Sequence, residues 1–224
     1  MRSIQHAVIM AGGRGLRMMP LTDAIPKPMA PYNGSTLIAR GISRLADRLG
    51  HIHVTVGYKG AMLAQHVIER GASSVFNTDG RGNCWWLYNT LLRHLDEPVY
   101  VLTCDNVFDL DFELLEENYR ALDEPACMLV PIRPVPGLEG DYVFHEDHVV
   151  TGISRTRETG IYCSGIQILN PRLLNELTEE GESFYDVWGQ LIARRRLMVS
   201  SVYPTRWYAV DTVEQLLSLN REPI

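Results

Sequence analysis

An α/β fold with a doubly wound, mostly parallel sheet is predicted by three features of this sequence. Short apolar runs alternate with amphipathic helical patterns along the first 134 residues. The first apolar run ends in a glycine cluster and a later one ends in acids, which puts polar groups at strand carboxyl ends, where open α/β sheets hold ligands. Beyond Pro134 the rhythm changes to closely spaced strands, marking a β-rich subregion. No repeat, low-complexity segment or linker interrupts the chain, so a single domain is expected over 1–224, with halves 1–134 and 135–224.

The elements follow in order. His6–Met10 is a short apolar strand, and Thr36–Leu49 sets Leu37, Ile38, Ile42, Leu45 and Leu49 on one helical face. "HIHVTVGY" alternates Ile52, Val54 and Val56 as a strand, and Ala61–Glu69 reads as the next helix. "SSVFN" is a short strand, Trp85–His94 a helix, and "PVYVLTCDN" a buried strand ending in acids. Phe112–Leu122 is helical and "ACMLVPIRP" a strand. In the later subregion "GDYVFHEDHVVTGI" forms a hairpin or meander, and "GIYCSGIQILNP" a strand followed by a helix from Pro171. Ser183–Arg194 is helical, "LMVSSVY" a strand and Val213–Asn220 a closing helix.

Composition bounds the function. At 46% hydrophobic residues, the chain buries a core without disulfides or obligatory assembly, so a monomer or homodimer is expected. No apolar run approaches the roughly 20 residues of a membrane span, and "MRSIQHAVIM" is read as lacking a signal peptide. Cys84, Cys104, Cys127 and Cys163 lie far apart without a C-x-x-C pair, as in a reduced, cytoplasmic protein. A net charge of −6 argues against nucleic acid or an anionic membrane as partner. Residues 1–46 are locally different. Arg2, Arg14, Arg17, Lys27, Arg40 and Arg44 face one acid, Asp23, which suits a small polyanion, although a solvated helix face accounts equally well for Arg40 and Arg44.

Chemistry concentrates in "IMAGGRGLRMMPLTDAIPKP". A strand running into Gly12, Gly13 and Gly15 lets the backbone turn tightly, and its N–H groups then form an anion-binding concavity. Arg17 and Lys27 bracket a stretch stiffened by Pro20, Pro26 and Pro28, and can place a forked guanidinium and a point-like ammonium on one triphosphate. A glycine-rich turn with surface arginines is the alternative. Asp105 in "VLTCDN" follows a buried strand and offers a hard oxygen ligand for Mg²⁺, or else a turn or helix cap. In "RWYAVDTVEQ", Asp211 is a second acid, with N-capping of the last helix by Asp211 or Thr212 as the other reading.

The loop closely resembles the G-G-x-G-x-R-x-x-P-x-T-x-x-x-P-K-P signature of sugar-1-phosphate nucleotidylyltransferases. Gly12, Gly13, Gly15, Arg17, Pro20, Thr22, Pro26, Lys27 and Pro28 all match it. The resemblance covers nearly the whole chain, most strongly at 9–28. It implies a Rossmann-like fold, and a nucleoside triphosphate wrapped by Ala11, Gly12, Gly13, Arg14, Gly15, Arg17 and Lys27, with Asn77 and Gly82 of "FNTDGRGN" beside it. Arg17, Lys27 and Asp105 become catalytic, and Asp105 with Asp211 the Mg²⁺ ligands. The implied reaction joins an NTP to a sugar 1-phosphate, giving an NDP-sugar and pyrophosphate, with UTP or CTP favoured.

Three departures complicate the match. Cys104 replaces the family's usual glycine before the aspartate, Ala209 stands where its second aspartate usually lies, and the L-G-T-A-type segment is missing. "GNCWWLYN" and "VDTVEQ" are instead similar to the phosphocholine cytidylyltransferase branch, which implies an amino-phosphate or phosphonate acceptor as the alternative. "GDYVFHEDHVV" and "YCSGIQILNP" resemble small sugar-phosphate uridylyltransferases around their acceptor pocket. Trp85, Arg133, Glu139, Asp141 and Ser164 are therefore acceptor-binding candidates, with Arg155 a further phosphate ligand. The departures at Cys104 and Ala209 also motivate a third reading, a nucleotide-binding homologue without catalysis.

Overall fold

A computed structural model describes residues 3–135, 138 and 140–221. In chain order the strands are β1 (His6–Ala11), β2 (Pro31–Tyr32), β3 (Ser35–Thr36), β4 (His51–Val56), β5 (Ser74–Asn77), β6 (Val99–Thr103), β7 (Asn106–Asp109), β8 (Cys127–Ile132), β9 (Tyr142–Glu146), β10 (Val149–Ser154), β11 (Tyr162–Leu169), β12 (Leu197–Val199) and β13 (Arg206–Ala209). The helices are α1 (Leu21–Ala24), α2 (Leu37–Ala46), α3 (Gly60–Glu69), α4 (Trp85–Asn89), α5 (Phe112–Ala121), α6 (Pro171–Leu177), α7 (Phe184–Ala193) and α8 (Val213–Arg221). The α/β class expected from the sequence is what the chain adopts.

The chain packs as two units. One unit comprises Gln5–Arg81, Leu102–Val107 and the segment from Tyr208; the other holds Gly82–Val101 and Phe108–Trp207. In the first, β5, β4 and β1 lie side by side and parallel, with His6 opposite His51 and Ala11 opposite Val56. Parallel pairing needs helical crossovers, which α2 and α3 supply. The Thr36 hydroxyl starts α2 by accepting from Ala39 N–H at 3.2 Å, while Ile38, Ile42 and Leu45 turn inward. A second apolar cluster in this unit joins Met18, Ala30, Tyr32, Leu37, Val210, Leu216 and Leu219. That cluster fastens the glycine-rich loop and the C-terminal segment to one another.

The other unit is the β-rich part. Its strands run in the order β11-β8-β12-β10-β9, and β9 returns to pair with β11 at Tyr142 and Tyr162. β8 and β12 pair in parallel there; the hairpin β9–β10 and the pair β8–β11 are antiparallel. β8 is buried along its whole length, which explains its unbroken apolar run. α7 opens with a capping box in which Ser183 and Asp186 exchange hydrogen bonds.

Three local expectations are corrected. The helix expected over Trp85–His94 breaks at Thr90, whose backbone is extended and whose hydroxyl bonds Trp86 O (2.8 Å) and Leu92 N–H (3.2 Å), leaving α4 and a 3₁₀ turn. The strand in "LMVSSVY" stops at Val199, because the Ser200 hydroxyl turns the chain by bonding Asn118 Oδ1 and Val202 N–H. β7 and β13, unassigned from sequence, pair as a two-stranded ribbon. Among the described residues no helix is long and apolar enough to cross a membrane.

Candidate active site

The glycine-rich loop begins where β1 ends. Gly12 must lack a side chain because a Cβ would lie 2.8 Å from Thr78 Oγ1, and Gly57 because its Cβ would strike the Gly12 carbonyl. That carbonyl accepts from Tyr58 N–H at 3.1 Å. Gly15 adopts a left-handed conformation at φ +65°, and a Cβ there would meet Lys27 Cβ at 2.7 Å. The Gly15 carbonyl in turn accepts from Met18 N–H (3.0 Å) and the Thr22 hydroxyl (3.1 Å), so the loop folds back on itself. Gly13 has no atom within 4 Å of a built Cβ. The N–H groups of Gly13, Arg14 and Gly15 have no hydrogen-bond acceptor among the described residues. Open space over unpaired amides is the kind of concavity that can accept an anion.

Two carboxylates converge on one cation beside this loop. Lys27 Nζ donates to Asp105 Oδ2 at 2.6 Å and to Asp211 Oδ1 at 2.9 Å. Arg17 Nη2 reaches the same Asp211 oxygen at 2.9 Å. The Lys27 side chain is 11% exposed, against 61% for Arg17. Burial alone works against the ammonium, but Asp105, with help from Asp211, outweighs it and holds the Lys27 pKa above its usual 10.5. The lysine is therefore charged at neutral pH. Burial, then the Asp105 charge, raises the neighbouring Cys104 thiol far above its usual range, so Cys104 stays neutral.

Asp105 and Asp211 are brought together by backbone as well as by the lysine. Asp105 sits in the turn between β6 and β7, where Cys104 N–H bonds Met10 O at 3.1 Å. Val210, fully buried, donates its N–H to Asp105 O at 3.0 Å and so seats Asp211 next to it. The two readings of the last helix separate here. Thr212 is the residue that caps α8, accepting from Gln215 N–H at 3.2 Å, while Gln215 Oε1 accepts from Thr212 N–H at 3.0 Å and Asp211 N–H at 2.7 Å. The Asp211 carboxylate is left for Lys27 and Arg17. Two carboxylate oxygens meeting at one cation form a hard donor set that suits Mg²⁺, which keeps waters and substrate phosphates for its other positions. Among the described residues no larger cage of His, Cys, Asp or Glu exists.

Other candidates fare differently. Ala11 is buried and gives its N–H to Thr55 Oγ1 at 3.1 Å, so this amide is not available to a phosphate. The Arg14 guanidinium carbon lies 5.4 Å from the Tyr58 ring centroid, and the Tyr58 hydroxyl reaches Thr22 O at 3.0 Å. Asn77 is exposed at the end of β5, with its Oδ1 accepting from Asp79 N–H. Gly82 belongs to the other unit, and packing accounts for it, because a Cβ there would collide with the Glu182 backbone.

The acceptor candidates also lie in that unit. Ser164 is 1% exposed, and its hydroxyl bonds Val130 O (2.6 Å) and Ile166 N–H (3.1 Å) within the strands. Asp141 is engaged with Arg155, whose Nε donates to Asp141 Oδ1 at 3.0 Å and to the Tyr185 hydroxyl at 3.3 Å. Trp85 is half-buried, Trp86 is core, and Arg133 is exposed. Glu139 lies outside the described residues. Sequence reasoning missed Gly57, Thr78 and Gln215; the "VGYKG" glycine at a strand end was the available signal.

Comparison with known proteins bears on this geometry. The family model of the MobA-like NTP transferase domain matches residues 7–159. A mannose-1-phosphate guanyltransferase from Pichia angusta is 24% identical over 226 residues, covering 94% of this chain; the chain spans only 62% of that protein's length. Among solved structures, a putative glucose-1-phosphate thymidylyltransferase from Bacillus anthracis aligns with a TM-score of 0.77 at 16% identity, over 97% of this chain and 94% of that one. The inositol-1-phosphate CTP transferase from T. maritima aligns at 0.74 and 16%, over 100% and 98%. At these identities the two structures establish the Rossmann-like fold.

Proposed function

Because the chain belongs to the MobA-like NTP transferase family, we propose that it is a nucleotidylyltransferase that converts an NTP and a sugar 1-phosphate into an NDP-sugar and pyrophosphate. A phosphate oxygen of the acceptor attacks the α-phosphorus. The bond from that phosphorus to the α–β bridging oxygen breaks, and pyrophosphate leaves with the electron pair. No general base is needed, since a phosphate nucleophile is already ionised near neutral pH. The work left to the protein is positioning and charge neutralisation.

The observation that carries this reading is the Lys27 ammonium shared by Asp105 and Asp211, beside a loop with unpaired amides. In the proposal, the amides of Gly13 to Gly15 and Arg17 hold the β- and γ-phosphates. Lys27 stabilises the charge that develops at the α-phosphate. Asp105 and Asp211 hold Mg²⁺, and the chemistry it supplies when bound there is polarisation of the phosphoryl oxygens. Residues 1–134 supply most of this donor site, with Asp211 added from the later part. Arg133, Asp141 and Arg155 are proposed for acceptor recognition, UTP or CTP as donor, and the cytoplasm, where the four free cysteines persist as thiols, as the compartment.

A second reading, a cytidylyltransferase acting on phosphocholine or a related phosphate, is favoured by the commitment of Ser164 to its own strands, which removes one sugar-hydroxyl partner. Both readings are tested by pyrophosphate release across the four NTPs crossed with sugar 1-phosphates, phosphocholine and aminoethylphosphonate. Release with a sugar 1-phosphate supports the first reading and release only with an amine-bearing acceptor the second. NTP binding without release from any combination points to the non-catalytic homologue.

A further inference from the structure

We infer that in the ligand-free protein Lys27 and Arg17 are parked on the metal-binding carboxylates, so that divalent metal and triphosphate each bind weakly alone and strongly together. The inference rests on the proposed function, and it concerns how that site is kept between turnovers.

Four charged side chains meet here. Lys27 Nζ lies on Asp105 Oδ2 and Asp211 Oδ1, and Arg17 Nη2 lies on the same Asp211 oxygen. Lys27 and both carboxylates are at most a quarter exposed. A divalent cation arriving alone must take its two oxygens from the ammonium. That strips the buried Lys27 ammonium of both its carboxylates, which is costly. A triphosphate arriving alone draws the two cations away. That leaves Asp105 and Asp211 facing each other, with oxygens close enough to have shared one nitrogen. Joint arrival gives Lys27 and both carboxylates a partner. By linkage each ligand then raises the other's affinity by the same factor.

Local geometry allows the exchange. The Lys27 backbone is fixed by Ala30 N–H on its carbonyl at 3.0 Å, and its Cβ is pressed against Gly15. The terminal ammonium is the part that moves. Arg17, on a 3₁₀ turn and mostly exposed, swings more freely.

Two binding measurements test this without turnover. The first titrates Mn²⁺ into protein free of nucleotide and follows free Mn²⁺ by electron paramagnetic resonance. Lys27→Met keeps the aliphatic stem and removes the competing charge, so Mn²⁺ binding should tighten by at least about tenfold. Arg17→Met, at an exposed position, should shift it in the same direction by less. The second titrates tripolyphosphate in EDTA by calorimetry. Asp211→Asn removes the Arg17 ion pair and one of the two carboxylates on Lys27, and should tighten binding several-fold. Unchanged or weaker Mn²⁺ binding in both cation variants, or unchanged tripolyphosphate binding in Asp211→Asn, overturns the inference while leaving the proposed function intact. Failure of the wild-type protein to bind Mn²⁺ even with tripolyphosphate present overturns the metal site itself, and this inference with it.

Discussion

Replacing Gly15 by alanine separates two demands that the loop places on its glycines. Gly15 sits at φ +65°, where an L residue costs about 1–2 kcal/mol. The added Cβ would also lie 2.7 Å from Lys27 Cβ and 3.3 Å from Thr22 Cγ2. Carbon pairs rest at about 3.5–4.0 Å, so the Lys27 stem must retreat by roughly 1 Å. Together the two effects should destabilise by about 3 kcal/mol, which for a chain of this size lowers the melting midpoint by roughly 6–12 °C. A displacement of Lys27 by that distance should also cost about a hundredfold in kcat. Gly13→Ala is the counterpart. No atom lies within 4 Å of its Cβ, and its φ is outside the left-handed region. Its stability should stay within about 0.5 kcal/mol of wild type. Triphosphate binding should nevertheless weaken by more than about tenfold, because the added carbon obstructs the backbone's approach to phosphate. Thermal denaturation and isothermal titration of both variants measure the two quantities. Equal destabilisation by the two substitutions, or full affinity in Gly13→Ala, would refute the assignment of open space over Gly13 to a ligand.

Three further outcomes are expected. Asp105→Asn keeps an oxygen acceptor for Lys27, so the far- and near-ultraviolet circular dichroism should be unchanged while pyrophosphate release falls at least about a thousandfold; near-normal turnover would remove Asp105 from the metal site. Thr212→Ala deletes the α8 cap and should cost about 1 kcal/mol, read as a lower urea midpoint at constant slope. His53 stacks with His6 and His51, and burial first, then those neighbours' charge, lowers its pKa to about 4 from 6.5. Between those values the unfolded chain binds more protons than the folded one, so stability rises with pH. The contribution is whole above pH 6.5 and lost as pH falls towards 4, about 3 kcal/mol in all. Urea denaturation of His53→Gln across that range should show a shallower slope than wild type; an unchanged slope would assign the acid sensitivity elsewhere.

Much of this protein was legible one stretch at a time. Helical periodicity placed α2, α3, α5 and α7 within a few residues, because each buries one face, and α2, α5 and α7 also carry start signals at Thr36, Asp111 and Ser183. The glycine-rich loop was legible for the same reason, since glycine, proline and lysine at fixed spacings constrain the backbone within a few residues. What failed were places where a side chain bonded its own backbone against the pattern. Thr90 broke a helix and Ser200 ended a strand. In each case a hydroxyl that reads as a surface or ligand group is consumed locally, a choice that periodicity does not register.

The sequence by itself determined the α/β class and the glycine-rich loop, and it singled out Lys27 and Asp105 as candidates beside that loop. These depend on interactions within a turn or a strand, which neighbouring residues encode. Tertiary structure alone decided that Asp211, 184 positions beyond Lys27, shares its ammonium with Asp105, and that Thr212 rather than Asp211 caps the last helix. That convergence comes from Val210 burying its side chain against Met18 and Leu37 and pairing its amide with Asp105. Contacts between residues so far apart in the chain are set by which apolar surfaces bury one another, and no local spacing states that.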